Sequence, residues 1–343
     1  MNYKGIIIEE SLEKDLIMNT PLKDLAIKKG IYIGAAINVE KLVSDEKYKR
    51  LVKKEFNMVT PENAMKWFNT HPVKDRFTFD QADLFMDFAK ENNLAVHAHV
   101  LVWHKHLPDW LTKVNFSKDE LWDILKEHIF TVVRRYKGQI YAWDVVNEAL
   151  NYDGLDPNSF WLQNLGQEFI AKSFQWTHEA DPNAKLFYNE WGVEGLDEKS
   201  DHMYELVKNL LSKGVPMHGI GFQMHVGTED SENCGKAPSK EDIAANMKRF
   251  SDLGLEIHIT EMDVQISQAQ GTRDEKLKKQ AEIYKYVLEA AFSVPNFKAL
   301  NTWGVIDKYS WIKAFYSEDD EPLLFDDNYQ PKPAYYSLVE ALQ

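Results

Sequence analysis

The chain is short of several things, and each shortage removes a class of function. One cysteine, Cys234, occurs in 343 residues, so no intramolecular disulfide can form, and the surrounding SENCGKAP reads as a loop rather than a metal or nucleophile site. No apolar stretch approaches the ~20 residues needed to cross a bilayer. Basic residues are outnumbered, 40 Lys and Arg against 54 Asp and Glu, for a net charge of −14. That balance argues against nucleic acid or an anionic membrane surface as a partner, because phosphate binding draws on clustered cations. No glycine-rich phosphate loop of either standard spacing is present, which counts against a nucleotide or sugar-phosphate ligand. The N-terminal MNYKGIIIEESLEKDL has a three-isoleucine run followed at once by acids, without the apolar core and small-residue cleavage site of a secretory signal. The chain reads as cytoplasmic.

What is present is one pattern, repeated. Short β-like runs start at Ile31, Phe56, Leu94, Ile140, Lys185, His218, Glu256 and Ala299. Between them lie longer amphipathic segments such as KDELWDILKEHIFTVVRRY and EKLKKQAEIYKYVLEAAF, several closed by Gly or Asn as helix stops would be. Eight strands separated by helices predict a parallel sheet closed into a (β/α)8 TIM barrel, and α/β barrels reach this length as one unit. With no linker, low-complexity tract or second composition zone, residues 1–343 are read as a single domain.

Active sites in such barrels gather at the carboxyl ends of the strands. Those ends carry Asn38; Glu62, Asn63 and Lys66; His99, Trp103 and His104; Asn147 and Glu148; Tyr188, Asn189 and Glu190; Gln223 and His225; Glu261 and Asp263; and Trp303, Asp307 and Trp311. Amides, an ammonium and indole faces suit a neutral polyhydroxylated ligand, which offers hydroxyls to hydrogen-bond and C–H faces to stack on. Trp122, Trp161 and Trp176 lie on helical segments and are assigned to packing.

Two of the runs end alike: YAWDVVNE closes on Glu148 and EIHITEMD carries Glu261. Two carboxyl groups from separate strands suit glycoside cleavage, where one protonates the departing oxygen while the other attacks the sugar carbon or activates water. The acid must stay neutral near pH 7 while its partner stays ionised; Glu148, with Asn147 beside it to bond the sugar 2-hydroxyl, is the better acid. His97, His99, His104 and His106 could instead mark a metal-dependent hydrolase, and a carbohydrate-binding barrel without turnover is a second alternative. Both rank below the glycosidase reading, with His97 and His106 taken as structural and no metal or cofactor expected.

The strings TPENAMKW, HVLVWH, WDVVNE, GFQMHV, ITEMD and TWGVIDKYSW, in this order and from about Leu22 to the C-terminus, resemble the retaining endo-β-1,4-xylanases of glycoside hydrolase family 10. The resemblance implies that Glu148 is the acid/base and Glu261 the nucleophile. It implies that Glu62, Asn63 and Lys66 hold the distal xylose, and that His99, Trp103 and Asn147 contact the sugar under attack. Gln223 and His225 would lie near the nucleophile, Tyr188 and Asn189 on the leaving-group side, and Trp303 and Trp311 on the glycone side. VHAHV stands where the family often has Arg-Gly-His, and Glu190 where Asp is usual. The implied partner is xylan or, for a cytoplasmic enzyme, xylo-oligosaccharides; nothing in the sequence speaks to subunit partners.

Overall fold

The computed structural model describes residues 20–230 and 234–343, so the N-terminal run read above as carrying no secretory signal lies outside the described residues. Eight strands form the barrel: β1 (Tyr32–Ile37), β2 (Met58–Pro61), β3 (Ala95–Ala98), β4 (Ala142–Asn147), β5 (Lys185–Glu190), β6 (Gly219–Phe222), β7 (Glu256–Gln265) and β8 (Phe297–Thr302). Each pairs in parallel with the next, and β8 pairs with β1, which closes the (β/α)8 barrel expected from the eight runs. Helices cover the outside while side chains fill the inside, so the strands read as nearly continuous apolar runs. Every residue of β4 and of β6 is buried.

Local chemistry fixes where the helices begin. The longest two, Lys118–Arg135 and Arg273–Phe292, start at capping boxes in which Ser117 pairs with Glu120 and Thr272 with Glu275. Each pair satisfies two backbone N–H groups that the first turn leaves without partners. A helix not foreseen, Pro333–Ala341, opens on the proline favoured at a first turn and packs against the Arg273–Phe292 helix. Among the described residues no helix is long and apolar enough to cross a membrane.

Two of the β-like runs, HGIGFQMHV from His218 and LAVHAHVLVW from Leu94, extend past their strands. The run from His218 stops at Phe222, because Met224 takes a left-handed backbone with φ of 64°, and resumes only as His225–Gly227 beside the far end of β7. The run from Leu94 leaves the barrel after Ala98, although Leu101 and Val102 still donate backbone hydrogen bonds to Asp144 and Val145.

The strands that deliver the two glutamates are both irregular near their ends. Register slips between Asp144 and Val146 on β4, and between Ile259 and Met262 on β7. An extra residue in a strand bends it and re-aims the side chains that follow. Glu148 itself has φ of 54°, a left-handed conformation that costs a non-glycine residue about 1–2 kcal/mol. Room for the site is made elsewhere by a missing side chain: a Cβ on Gly221 would collide with Oδ1 of Asn189.

Candidate active site

Glu261, buried on β7, is held from three directions. Nδ2 of Asn189 donates to its Oε1 at 2.6 Å, and Nε2 of His225 bonds its Oε2 at 3.1 Å. Nδ1 of His99 lies 3.9 Å from Oε1. His225 is fixed in turn by Asp263, 3.0 Å from its Nδ1, and the Trp311 indole donates to the same Asp263 oxygen at 2.8 Å. Burial works against a charged imidazole, but Asp263 and Glu261 outweigh it and raise His225 to about 10. A cationic His225 donates through both nitrogens, so it orients the Glu261 carboxylate between Asp263 and Asn189.

Glu148, immediately after β4, is joined to the same network. Nε2 of Gln223 donates to its Oε1 at 3.1 Å and to Oδ1 of Asn147 at 3.2 Å; Nδ2 of Asn189 reaches that Asn147 oxygen at 2.9 Å. Asn189 therefore touches both Asn147 and Glu261, and the two carboxyl groups belong to one amide-bridged cluster. Oε2 of Glu148 accepts from the Trp103 indole at 3.0 Å and from Nζ of Lys105 at 2.8 Å. Burial alone would raise this carboxyl, yet Lys105, Gln223 and Trp103 draw it down to about 2. These partners favour the ionised form of Glu148, whereas an acid role calls for the protonated one. The Lys105 side chain is 52% exposed against 9% for Glu148, so the lysine is the partner free to leave. Once it does, burial favours the protonated acid.

Glu62, Asn63 and Lys66 lie together just beyond β2. Nζ of Lys66 donates to Oδ1 of Asn63 at 3.0 Å and stands 5.2 and 5.8 Å from the ring centres of Trp103 and Trp303. Burial pushes the Lys66 ammonium down, and Glu261, Glu62 and Glu148 pull it back up. The ring of Trp303 also meets His99 edge-on at 5.2 Å, and that of Trp311 meets His225 at 5.0 Å. With Lys105, two ammonium groups and three indoles thereby surround the carboxylates.

Tyr188, expected on the leaving-group side, lies beneath the site. It is fully buried, its hydroxyl donates to Glu190 at 2.8 Å and accepts from the backbone of Ala149 at 3.2 Å, so it supports the floor of the site. Asn189 is likewise fully buried, its carbonyl taking a 2.6 Å bond from Thr260. Glu190 sits in a fully buried ion pair with Lys199 at 3.0 Å, and the Lys199 ammonium lies 3.7 Å from the Trp191 ring centre. Burial, opposed by Lys199, lifts Glu190 to about 7.

The four histidines do not converge as a metal reading requires. His104 faces Asp156 at 3.6 Å and His106 stacks near Phe68 and Trp103, while His97 points to Asp144. A different set, His99, Asp144 and Glu261, has donor atoms within 4.8 Å of one another, but these atoms are engaged with one another and with Asn189 and His225. Trp161 is buried, its indole holding the carbonyl of Trp103 at 3.1 Å, and Trp122 and Trp176 pack edge-to-face. Lys105 and Asp144 were missed. Asp144 stands inside the quoted WDVVNE and could have been suspected as an acid in the middle of an apolar strand, whereas Lys105 immediately follows HVLVWH.

The profile described as glycosyl hydrolase family 10 matches residues 21–341. The chain is 42% identical over 327 residues to endo-1,4-beta-xylanase B of Thermotoga neapolitana, covering 95% of this chain and 92% of that one. Among solved structures, xylanase 10B of Thermotoga petrophila in complex with xylobiose superposes with a TM-score of 0.89 at 45% identity, covering 94% of this chain and 97% of that chain. TsXylA, an intracellular xylanase from Thermoanaerobacterium saccharolyticum, superposes with a TM-score of 0.84 at 36% identity, covering 93% and 98%.

Proposed function

The chain belongs to glycosyl hydrolase family 10 and is an endo-1,4-β-xylanase, and we propose that Glu148 is its acid/base and Glu261 its nucleophile in a double displacement that retains configuration. The observation that carries this reading is the amide bridge: two buried glutamates from separate strand ends are joined through Gln223, Asn147 and Asn189 in turn, yet differ in how firmly their outer partners are held. Glu261 is fixed by His225, which has little freedom to leave. Glu148 is clasped by Lys105, which can leave.

In the first step, Glu148 protonates the departing glycosidic oxygen as Glu261 attacks the anomeric carbon, forming a covalent glycosyl-enzyme. The proton is taken up once an entering sugar has displaced Lys105. In the second step, Glu148 removes a proton from water, which releases the sugar from Glu261. With its carbonyl oxygen committed to Asn189 and Gln223, Asn147 offers its N–H groups to the sugar 2-hydroxyl, a bond that strengthens as positive charge builds on the ring. Glu62, Asn63 and Lys66 bind the distal xylose, and Trp103, Trp303 and Trp311 offer faces to the sugar rings. These roles are filled by carboxylates, amides, imidazoles and indoles, so the reaction needs no metal or cofactor.

We further infer that residues 1–343 form one catalytic domain, and that it acts on xylo-oligosaccharides in the cytoplasm. The likeness to TsXylA, called an intracellular xylanase, supports that setting. Product analysis on xylan and on xylobiose to xylohexaose tests the reading. Internal cleavage that yields short xylo-oligosaccharides supports it, and release of single xylose units from one end only contradicts it.

A further inference from the structure

A line of polar side chains runs through the barrel interior and is not used in the steps above. At the amino end of the strands, the Tyr141 hydroxyl donates to Oε1 of Glu256 at 2.6 Å, and Nε2 of His258 meets the same oxygen at 2.9 Å. Nδ1 of His258 lies 3.0 Å from Nδ1 of His97, and Nε2 of His97 lies 2.7 Å from Oδ1 of Asp144. The other Asp144 oxygen accepts from Nδ1 of His99 at 2.9 Å, and His99 adjoins Glu261. His97, His99, Asp144 and His258 are at most 2% exposed. The line thus joins a partly exposed end at Tyr141 and Glu256 to the nucleophile.

Counting protons along this line gives a definite result. The His97–His258 pair makes three hydrogen bonds, to Glu256, between the rings, and to Asp144. Ionised carboxylates only accept, so the three bonds need three N–H groups, whereas two neutral imidazoles carry two. Both carboxyls are held below their ordinary range. Burial opposes this for each, but His97 and His99 outweigh it at Asp144, as His258 and Tyr141 do at Glu256. Burial opposes a charge on His258, lowering it to about 4, and the three hydrogen bonds of the pair set a third N–H against that cost. The other neighbours of the pair are the Phe187 ring on β5 and, near Glu256, the Lys185 ammonium.

We propose that His97 and His258 hold one shared proton throughout the catalytic cycle. This buried charge keeps Asp144 ionised and His99 in its Nδ1–H form, and so favours the ionised nucleophile. His97 and His258 are then positioning residues that act on Glu261 through Asp144 and His99. The inference rests on Glu261 being the nucleophile. A wrong nucleophile would appear as covalent trapping on another residue and would leave the proton count untouched.

The test combines ¹⁵N NMR of histidine-labelled enzyme at pH 7 with pH profiles of kcat/KM on an aryl β-xylobioside. His97→Gln and His258→Gln assign the signals and remove the charge. Three protonated nitrogens on the pair are expected. The acid limb of kcat/KM, which reports the nucleophile, should move upward by about half a pH unit or more in both variants, because losing a nearby positive charge makes a carboxylate harder to ionise. A merely structural role would lower stability and leave that limb in place. Two protonated nitrogens, or an unmoved limb in the folded variants, would overturn the proposal. If His97→Gln fails to fold, His258→Gln carries the same comparison, since His258 touches neither Asp144 nor His99.

Discussion

Nζ of Lys105 lies 2.8 Å from Oε2 of Glu148, on the same oxygen that the Trp103 indole holds. The two donors favour the ionised carboxylate, which the proposed acid role must first protonate. Glu148, normally near 4.5, is drawn to about 2. Its ionised form therefore contributes stability above the unfolded value, and that contribution is lost as pH falls toward 2. Lys105→Met should raise the Glu148 pKa. Because Glu148 must be protonated to act as an acid, the alkaline limb of kcat/KM on xylotriose should move to higher pH. An unmoved limb, or one moved downward, would remove Lys105 from control of the acid.

Removing the acid separates the two steps. Glu148→Ala should slow cleavage of xylo-oligosaccharides by about 10²–10⁴-fold, the usual contribution of a positioned acid. Formation of the intermediate from an aryl xylobioside with a good leaving group should be largely spared, so that intermediate accumulates in a burst. Equal damage on good and poor leaving groups, measured by stopped flow, would refute the acid assignment.

The remote cluster should act through the distal sugar. Nζ of Lys66 bonds Asn63 and lies near the faces of Trp103 and Trp303, and a hydrogen bond to a charged group contributes about 1.5–3 kcal/mol. Binding energy from a non-reacting sugar can be realised in the transition state. Lys66→Ala should lower kcat/KM on xylotriose by roughly 10–100-fold, and far less on an aryl mono-xyloside, which does not reach the cluster. Equal losses on the two would make Lys66 a structural support.

Dialysis against EDTA should leave kcat and KM unchanged, since every step is assigned to side chains. Activity that collapsed on chelation and returned with zinc would favour the alternative in which histidines hold a metal.

Much of this was legible in the sequence because barrel strands are short apolar runs that stop on polar residues. The eight runs, the glutamates at two of their ends and the Glu62–Lys66 cluster could all be read from order and spacing. Contacts across the barrel could not. His97 and His258 stand 161 positions apart, and alternation along a strand does not say which strand lies opposite. The burial of Tyr188 was hidden for a related reason: five of the six residues of β5 are buried, so the pattern does not separate inward from outward positions. Lys105 lies past the end of β3, where the backbone has left the regular geometry that makes direction readable.

Glu261→Ala should lower kcat by at least about 10⁴-fold, as loss of a nucleophile does elsewhere, because the carboxylate assigned to form the intermediate is gone. Added azide should restore part of the activity and yield a xylosyl azide of inverted configuration. Near wild-type turnover in the variant would end the nucleophile assignment.

The double displacement itself is tested most directly by following the anomeric protons of the sugar released by the wild-type enzyme, using ¹H NMR in the first minutes of xylo-oligosaccharide hydrolysis. Attack by Glu261 followed by attack of water inverts the anomeric carbon twice, so the β-anomer should appear first and the α-anomer only later, by mutarotation. If the α-anomer appears first, water attacks in a single displacement and Glu261 forms no covalent intermediate.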